Sequence, residues 1–247
     1  MPIQGWMEKV TDMKILGLDS SGLVAGVAVV EDGVLLAEYT TNYKKTHSQT
    51  LLPMLEELAH MIELDLDTID AIAIASGPGS FTGLRIGSAT AKGLGLALNK
   101  PLVEVPTLEG LAWNLWGNER LICPLMDARR NQVYTGAYEF VSQQEGFGLQ
   151  TVISQAPMDI VEFLDRLNEI GREVIFLGDG VPVYLDFIRE HAKVPYSLAP
   201  ANCNRQRAAC IAALGEVYYA EGQIVSAGEH KPEYLRKSQA EQEEKNR

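Results

Sequence analysis

At 247 residues the chain has room for one large domain or two lobes of about 100–120 residues each. Its 46% apolar and 22% charged content is that of an ordinary folded protein, and no apolar run reaches the ~20 residues needed to span a bilayer. With 21 basic against 33 acidic side chains, the net charge of −12 repels phosphate backbones and excludes independent nucleic-acid binding without a basic partner.

Residues 1–12 carry no apolar core of a signal peptide, and Met13-Lys14-Ile15 reads as the start of a first strand, so 1–12 is read as an N-terminal extension or the product of an alternative start. Lys14 to Asp19 is a buried strand ending in an aspartate, Ser20-Ser21-Gly22 a turn, Val24 to Val30 a second strand and Val34 to Tyr39 a third, joined by Glu31-Asp32-Gly33. In that first hairpin, Asp19, Ser20 and Ser21 either touch a phosphate or metal, or simply cap the turn; the residues alone favour capping.

His47 precedes a helix with Leu51, Leu55, Leu58 and Ile62 on one stripe. Leu52 and Met54 widen its apolar surface, which predicts two apolar neighbours. No second histidine stands at i+3 or i+4, so His47 is a cap or packing residue rather than a metal ligand.

Ala71 to Ala75 is a buried strand, and from Ser76-Gly77-Pro78-Gly79-Ser80-Phe81-Thr82-Gly83 a helix runs to about Leu98. Its glycines each cost roughly 1 kcal/mol relative to alanine, which something must repay. Gly83, Gly87 and Ala91 recur every four residues and line one helical face that admits another backbone closely. Ser80 or Thr82 caps the helix, and its free N–H groups offer an anion site. Glycines at 77, 79 and 83 fit neither the dinucleotide fingerprint nor a P-loop, so a tight turn with a close helix contact is favoured over a phosphate cradle.

Pro101 to Val105 is a further strand and Thr107 to Trp116 a helix, after which the pattern restarts. Leu121 to Asp127 is again an apolar strand ending in aspartate, followed by Ala128-Arg129-Arg130-Asn131 and a strand from Gln132 to Phe140. This echo predicts an internal duplication with lobes at 13–117 and 118–240 and a polar tail at 241–247. The second lobe continues with a loop near Gln143–Gly148, a strand near Thr151, a helix from Pro157 to Ile170, a strand over Val174–Leu177 and Gly178-Asp179-Gly180 opening a helix that contains Tyr184. Gly178, Asp179 and Gly180 form either an anion loop or a plain strand-to-helix turn. Arg207 to Glu221 is an alanine-rich helix. Cys123, Cys203 and Cys210, widely spaced and without C-x-x-C, read as reduced thiols of a cytoplasmic chain.

Two lobes that each begin with a meander ending its first strand in Asp resemble the actin, Hsp70 and sugar kinase (ASKHA, ribonuclease H-like) superfamily, an α/β fold. Within it, Ser76 to Gly87, Asp127 to Arg130, Gly178 to Gly180 and Pro232-Glu233-Tyr234-Leu235-Arg236-Lys237-Ser238-Gln239-Ala240-Glu241 resemble the bacterial TsaB (YeaZ) family. The resemblance runs from about Met13 to Glu241. It implies a role in making N6-threonylcarbamoyladenosine at A37 of ANN-decoding tRNAs, as the non-catalytic partner of TsaD with the ATPase TsaE joining them, in the cytoplasm and with tRNA met only through the complex. It also implies a homodimer when TsaD is absent, no membrane, no cofactor of its own, and a nucleotide (ATP or ADP) only at the surface shared with TsaD.

TsaD-like chains carry two histidines at i, i+4 where this sequence has Thr107 and Leu111, so the resemblance implies no catalytic residue, no metal and no glycoprotease activity. It places the partner interface on the helices after His47 and Phe81, with His47, Leu51, Leu52, Leu55, Phe81, Gly83, Arg85, Gly87 and Ala91, and leaves Asp19, Ser20, Ser21, Gly178, Asp179 and Gly180 as a vestigial phosphate loop. On this expectation Gly87→Leu severs the association and leaves the monomer folded. The rivals are a small-molecule kinase or ATPase of the same fold, holding Mg²⁺ through Asp19 and Asp179, and a metallopeptidase.

Overall fold

Both aspartate-ending strands lie at the centre of a five-stranded sheet. The computed structural model describes residues 13–43, 47–143 and 146–235; the expected extension (1–12), the expected tail (241–247) and the end of the C-terminal motif (236–241) fall outside them. In the first sheet, β1 (Lys14–Asp19) pairs antiparallel with β2 (Ala25–Glu31), which pairs antiparallel with β3 (Val34–Thr41). On its other side β1 pairs parallel with β4 (Ala71–Gly77), and β4 with β5 (Leu102–Pro106), giving the order β3-β2-β1-β4-β5. The second sheet repeats this plan: β6 (Leu121–Asp127) stands between antiparallel β7 (Gln132–Gln143), followed by β8 (Gly146–Asp159), and parallel β9 (Val174–Leu177), followed by β10 (Tyr196–Leu198). Two copies of one strand order make this a duplicated α/β fold of the actin, Hsp70 and sugar kinase type.

Alternation along the central strand sets the layers. Leu16 and Leu18 face one side, where Leu51, Met54, Leu55 and Leu58 of α1 (His47–Met61) and Ala91 of α2 (Phe81–Leu98) cover them. Each fully buried leucine there contributes about 1.5–3 kcal/mol. Ile15 faces the opposite side, under Ile211, Ala212 and Leu214 of α6 (Ala208–Ala220). On the second sheet, α4 (Ile160–Ile170) and α5 (Gly180–His191) cover one face through Phe163, Leu164, Leu167 and Ile188. The other face is taken by α3 (Thr107–Trp113), whose Leu108, Leu111 and Ala112 pack on Ile122, Tyr138 and Ile175.

Helices are therefore exchanged between the halves. α3 follows the first sheet in the chain and covers the second, while α6 follows the second sheet and covers the first. The two helices touch, so the halves share a continuous interior.

Some expected boundaries move. The hairpin β7–β8 is much longer than a loop and a short strand near Thr151, and it runs to Asp159, so α4 begins at Ile160 rather than Pro157. The Asp159 carboxylate caps that helix, accepting from Val161 N at 2.9 Å and Glu162 N at 3.4 Å. Regular α3 stops at Trp113, three residues before the expected end.

Candidate functional site: the signature turn and the outer face of two helices

The stretch from Ser76 to Gly87 is where three distant segments meet. Ser80 caps α2, its hydroxyl accepting from Gly83 N at 3.3 Å. Ser80 N donates to the Ser21 carbonyl at 2.7 Å, and the Ser20 hydroxyl donates to the Gly83 carbonyl at 2.9 Å. A Cβ at Gly83 would stand 2.0 Å from the Ser20 carbonyl oxygen, and one at Gly87 2.5 Å from Ser20 Oγ. These glycines let the first turns of α2 lie directly on the β1–β2 turn, so the close helix contact is made within the chain.

That contact occupies the first expected phosphate loop. Asp19 Oδ1 accepts from Ser21 N at 2.8 Å and Ser21 Oγ at 2.6 Å, while Ser20 and Ser21 are covered by the backbone of residues 79–83. Asp19 is 2% exposed. Burial pushes its carboxyl up to about 6, and the Ser21 donors and the His47 charge only partly oppose this. His47 Nε2 lies 2.8 Å from the Gly22 carbonyl oxygen, tying the start of α1 to the same turn. Gln206 closes it from the α6 side, fully buried with neither amide atom hydrogen-bonded to a described residue.

The C-terminal motif docks on the same turn. Glu233 N donates to the Ser76 carbonyl at 2.7 Å, and the Tyr234 ring packs 4.7 Å from that of Phe81. The Arg85 guanidinium lies 3.9 Å above the Phe81 ring, with Nε 3.4 Å from Tyr234 Oη. Two motifs 150 residues apart, each visible in the sequence, are thus one assembly; nothing in their spacing signals the contact.

Gly178, Asp179 and Gly180 lead from β9 of the second sheet into α5 and are held by their own half. Gly178 N donates to the Asn204 carbonyl at 3.0 Å, and Arg205 Nη1 donates to the Gly178 carbonyl at 3.0 Å. Burial is the main cause of a raised Asp179 carboxyl, opposed by the backbone N–H groups of Asp179 and Asp127 and by the Arg205 charge, with only the Asp127 charge adding to the rise. Asp127 accepts from Tyr184 Oη at 2.9 Å. Asp19 is engaged by Ser21 of its own turn, whereas Asp179 Oδ1 is buried with no hydrogen bond to a described residue; among the described residues no three His, Cys, Asp or Glu side chains converge as a metal-holding group.

Several residues expected on a partner-facing surface lie inside. Leu51 and Leu55 belong to the core, and Gly83, Gly87 and Ala91 face β1, β4 and the first turn. Gly87→Leu would consequently drive a side chain into Ser20 and Ile74, testing the fold instead of an interface. Leu52 and Arg85 are exposed, and His47 and Phe81 are half-buried at the rim. The outward face of α2 carries a second small-residue series at the same spacing, Ala89, Gly93 and Ala97, all exposed, with open space around Gly93 and Leu96 beside it.

The family model for TsaD, tRNA N6-adenosine threonylcarbamoyltransferase, matches residues 34–244. The chain is 33% identical over 229 residues to the tRNA threonylcarbamoyladenosine biosynthesis protein TsaB of Bacillus subtilis (strain 168), covering 93% of this chain and 96% of that one. It is 31% identical over 234 residues to the protein of the same name from Escherichia coli (strain K12), covering 92% and 96%. Among solved structures, a Pseudomonas aeruginosa protein described as similar to peptidase YEAZ superposes with a TM-score of 0.76 at 28% identity, covering 91% of this chain and all of that one. YeaZ from Pseudomonas aeruginosa superposes with a TM-score of 0.73 at 26% identity, covering 90% and 100%.

Proposed function

Because this chain belongs to the TsaB family of tRNA threonylcarbamoyladenosine biosynthesis proteins, we propose that it is a docking subunit: it binds TsaD, with TsaE joining, and supports threonylcarbamoyl transfer to A37 without supplying catalytic groups. One observation carries this reading. Where TsaD-like chains are expected to hold a pair of metal-binding histidines, this chain has Thr107, with no exposed surface, and Leu111, 1% exposed. Thr107 Oγ1 is already an acceptor for Gly77 N at 3.2 Å, and Leu111 packs in the core between α3 and the second sheet. A committed hydroxyl and a buried alkyl group offer no ligands to a metal ion.

Docking then falls to the outward face of α1 and α2. Leu52 is 53% exposed and Leu96 68%, on helices whose inner faces already fill the core. Ala89, Gly93 and Ala97 let a partner helix approach α2 closely on the side away from the sheet. The test is co-elution with TsaD on size exclusion. Leu52→Glu and Gly93→Leu, both at exposed positions, are expected to abolish the complex without lowering the thermal transition of the isolated chain. Complexes that survive both substitutions would rule this face out.

A further inference from the structure

Nearly all the arginines among the described residues are engaged, and the exception is a neighbouring pair. Among the described residues, Arg120, Arg166, Arg172, Arg189 and Arg207 each meet a carboxylate. Arg85 lies on Phe81 and Tyr234, and Arg205 donates to carbonyl oxygens. Arg129 and Arg130 are exposed, and among the described residues neither guanidinium has an ion pair, hydrogen bond or ring contact.

Their backbone is held with equal particularity. Arg129, Arg130 and Asn131 have φ of 62°, 56° and 57°, three successive non-glycine residues in the left-handed region that L side chains rarely adopt. The turn is fixed from both ends: Ala128 N donates to the Gln132 carbonyl at 2.9 Å, Gln132 N to the Arg129 carbonyl at 3.1 Å, and Ile160 N to the Asn131 carbonyl at 3.3 Å. Arg129 N donates to Asp127 Oδ1 at 2.8 Å, and Tyr184 Oη braces the same oxygen. The flanking carboxylates are spent elsewhere. Asp127 serves Arg129 N and Tyr184, Asp159 caps α4, and Glu162 pairs with Arg166. The chain has 33 acidic side chains, yet no carboxylate among the described residues pairs with these two adjacent guanidiniums, which stand on an exposed, hydrogen-bonded turn.

We infer that the Arg129–Arg130 turn is a contact for RNA phosphates, reached when the tRNA is brought in by the assembled complex. The inference rests on the docking reading above and adds a direct contact with the nucleic acid to it. Two exposed guanidiniums match the planar, bidentate geometry of phosphodiester oxygens. Two such contacts are too few to hold RNA against a net charge of −12, so the turn acts only within a complex whose partner supplies the remaining basic surface. The contacts are with the backbone, so they position the tRNA without reading its sequence.

The test uses the reconstituted modification complex, with wild-type chain, the Arg129→Ala/Arg130→Ala double variant, and Arg129→Lys/Arg130→Lys. All keep a Cβ at both positions, so the turn is no more strained in the variants. The alanine pair is expected to raise the KM for tRNA with kcat unchanged, and to make the log–log dependence of tRNA affinity on salt shallower by about 1–2. The lysine pair, which keeps the point charges, is expected to recover most of that salt dependence. An unchanged KM and salt slope in the alanine pair would overturn the inference and leave the docking reading intact. Loss of co-elution with TsaD in the alanine pair would overturn it too, by assigning the turn to a protein contact. A wild-type chain that modification does not need would overturn both readings at once.

Discussion

Asp19 is the residue on which the first half closes, and its environment has a measurable consequence. Its carboxyl titrates near 3.8 when unfolded and at about 6 when buried under the turn. Between those values the folded chain holds a proton that the unfolded chain has released, so stability falls as pH rises from about 4 to about 6 and then levels. The difference of roughly two pKa units amounts to on the order of 3 kcal/mol. Glu216, pushed up to about 7 chiefly by burial, adds a fall of the same sign, which makes the comparison with a variant necessary. Asp19→Asn keeps an oxygen to accept from Ser21 and cannot ionise. Urea unfolding across pH 4 to 7 should show the variant losing less stability than the wild type over that interval; parallel profiles would contradict the assignment.

At the scale of one element, α2 carries two small-residue series that serve opposite ends. Gly83, Gly87 and Ala91 lie against the first turn and the sheet, whereas Ala89, Gly93 and Ala97 look outward. One substitution made on each side separates them. Gly83→Ala sets a Cβ 2.0 Å from the Ser20 carbonyl and should cost on the order of 3 kcal/mol as the helix is forced off the turn. Gly93→Ala meets nothing within 4 Å and should stabilise by roughly 0.8–1 kcal/mol through helix propensity. Chemical denaturation of the two variants should give shifts of opposite sign, and shifts of the same sign would contradict the assignment of faces. The same helix shows what the sequence left open. Four-residue spacing made a close-packing face legible, but series offset by two residues lie about 200° apart, and periodicity alone does not say which one turns inward. The strands were easier to read: β1, β4 and β9 are buried on both faces and so stand out as continuous apolar runs. β10, with three residues and two of them exposed, gives no such run.

For the whole molecule, the duplication was legible from the repeated strand, aspartate and turn, and both sheets have the same order about that strand. The exchange of α3 and α6 was not legible, because an alanine-rich helix gives no sign of which sheet it covers. Nor was the docking of Glu233 and Tyr234 on Ser76 and Phe81, a contact across some 150 residues. Together these contacts leave the first turn filled by the chain's own backbone and Thr107 and Leu111 facing the core.

We propose that this chain contributes to threonylcarbamoyl transfer by assembly and not by chemistry. The most direct measurement is the N6-threonylcarbamoyladenosine content of tRNA after incubation with threonylcarbamoyl-adenylate, using this chain alone, TsaD with TsaE, and all three together. Product is expected only when the chain and TsaD are both present, and none from the chain alone. Product from the chain alone, or undiminished product without it, would contradict the account.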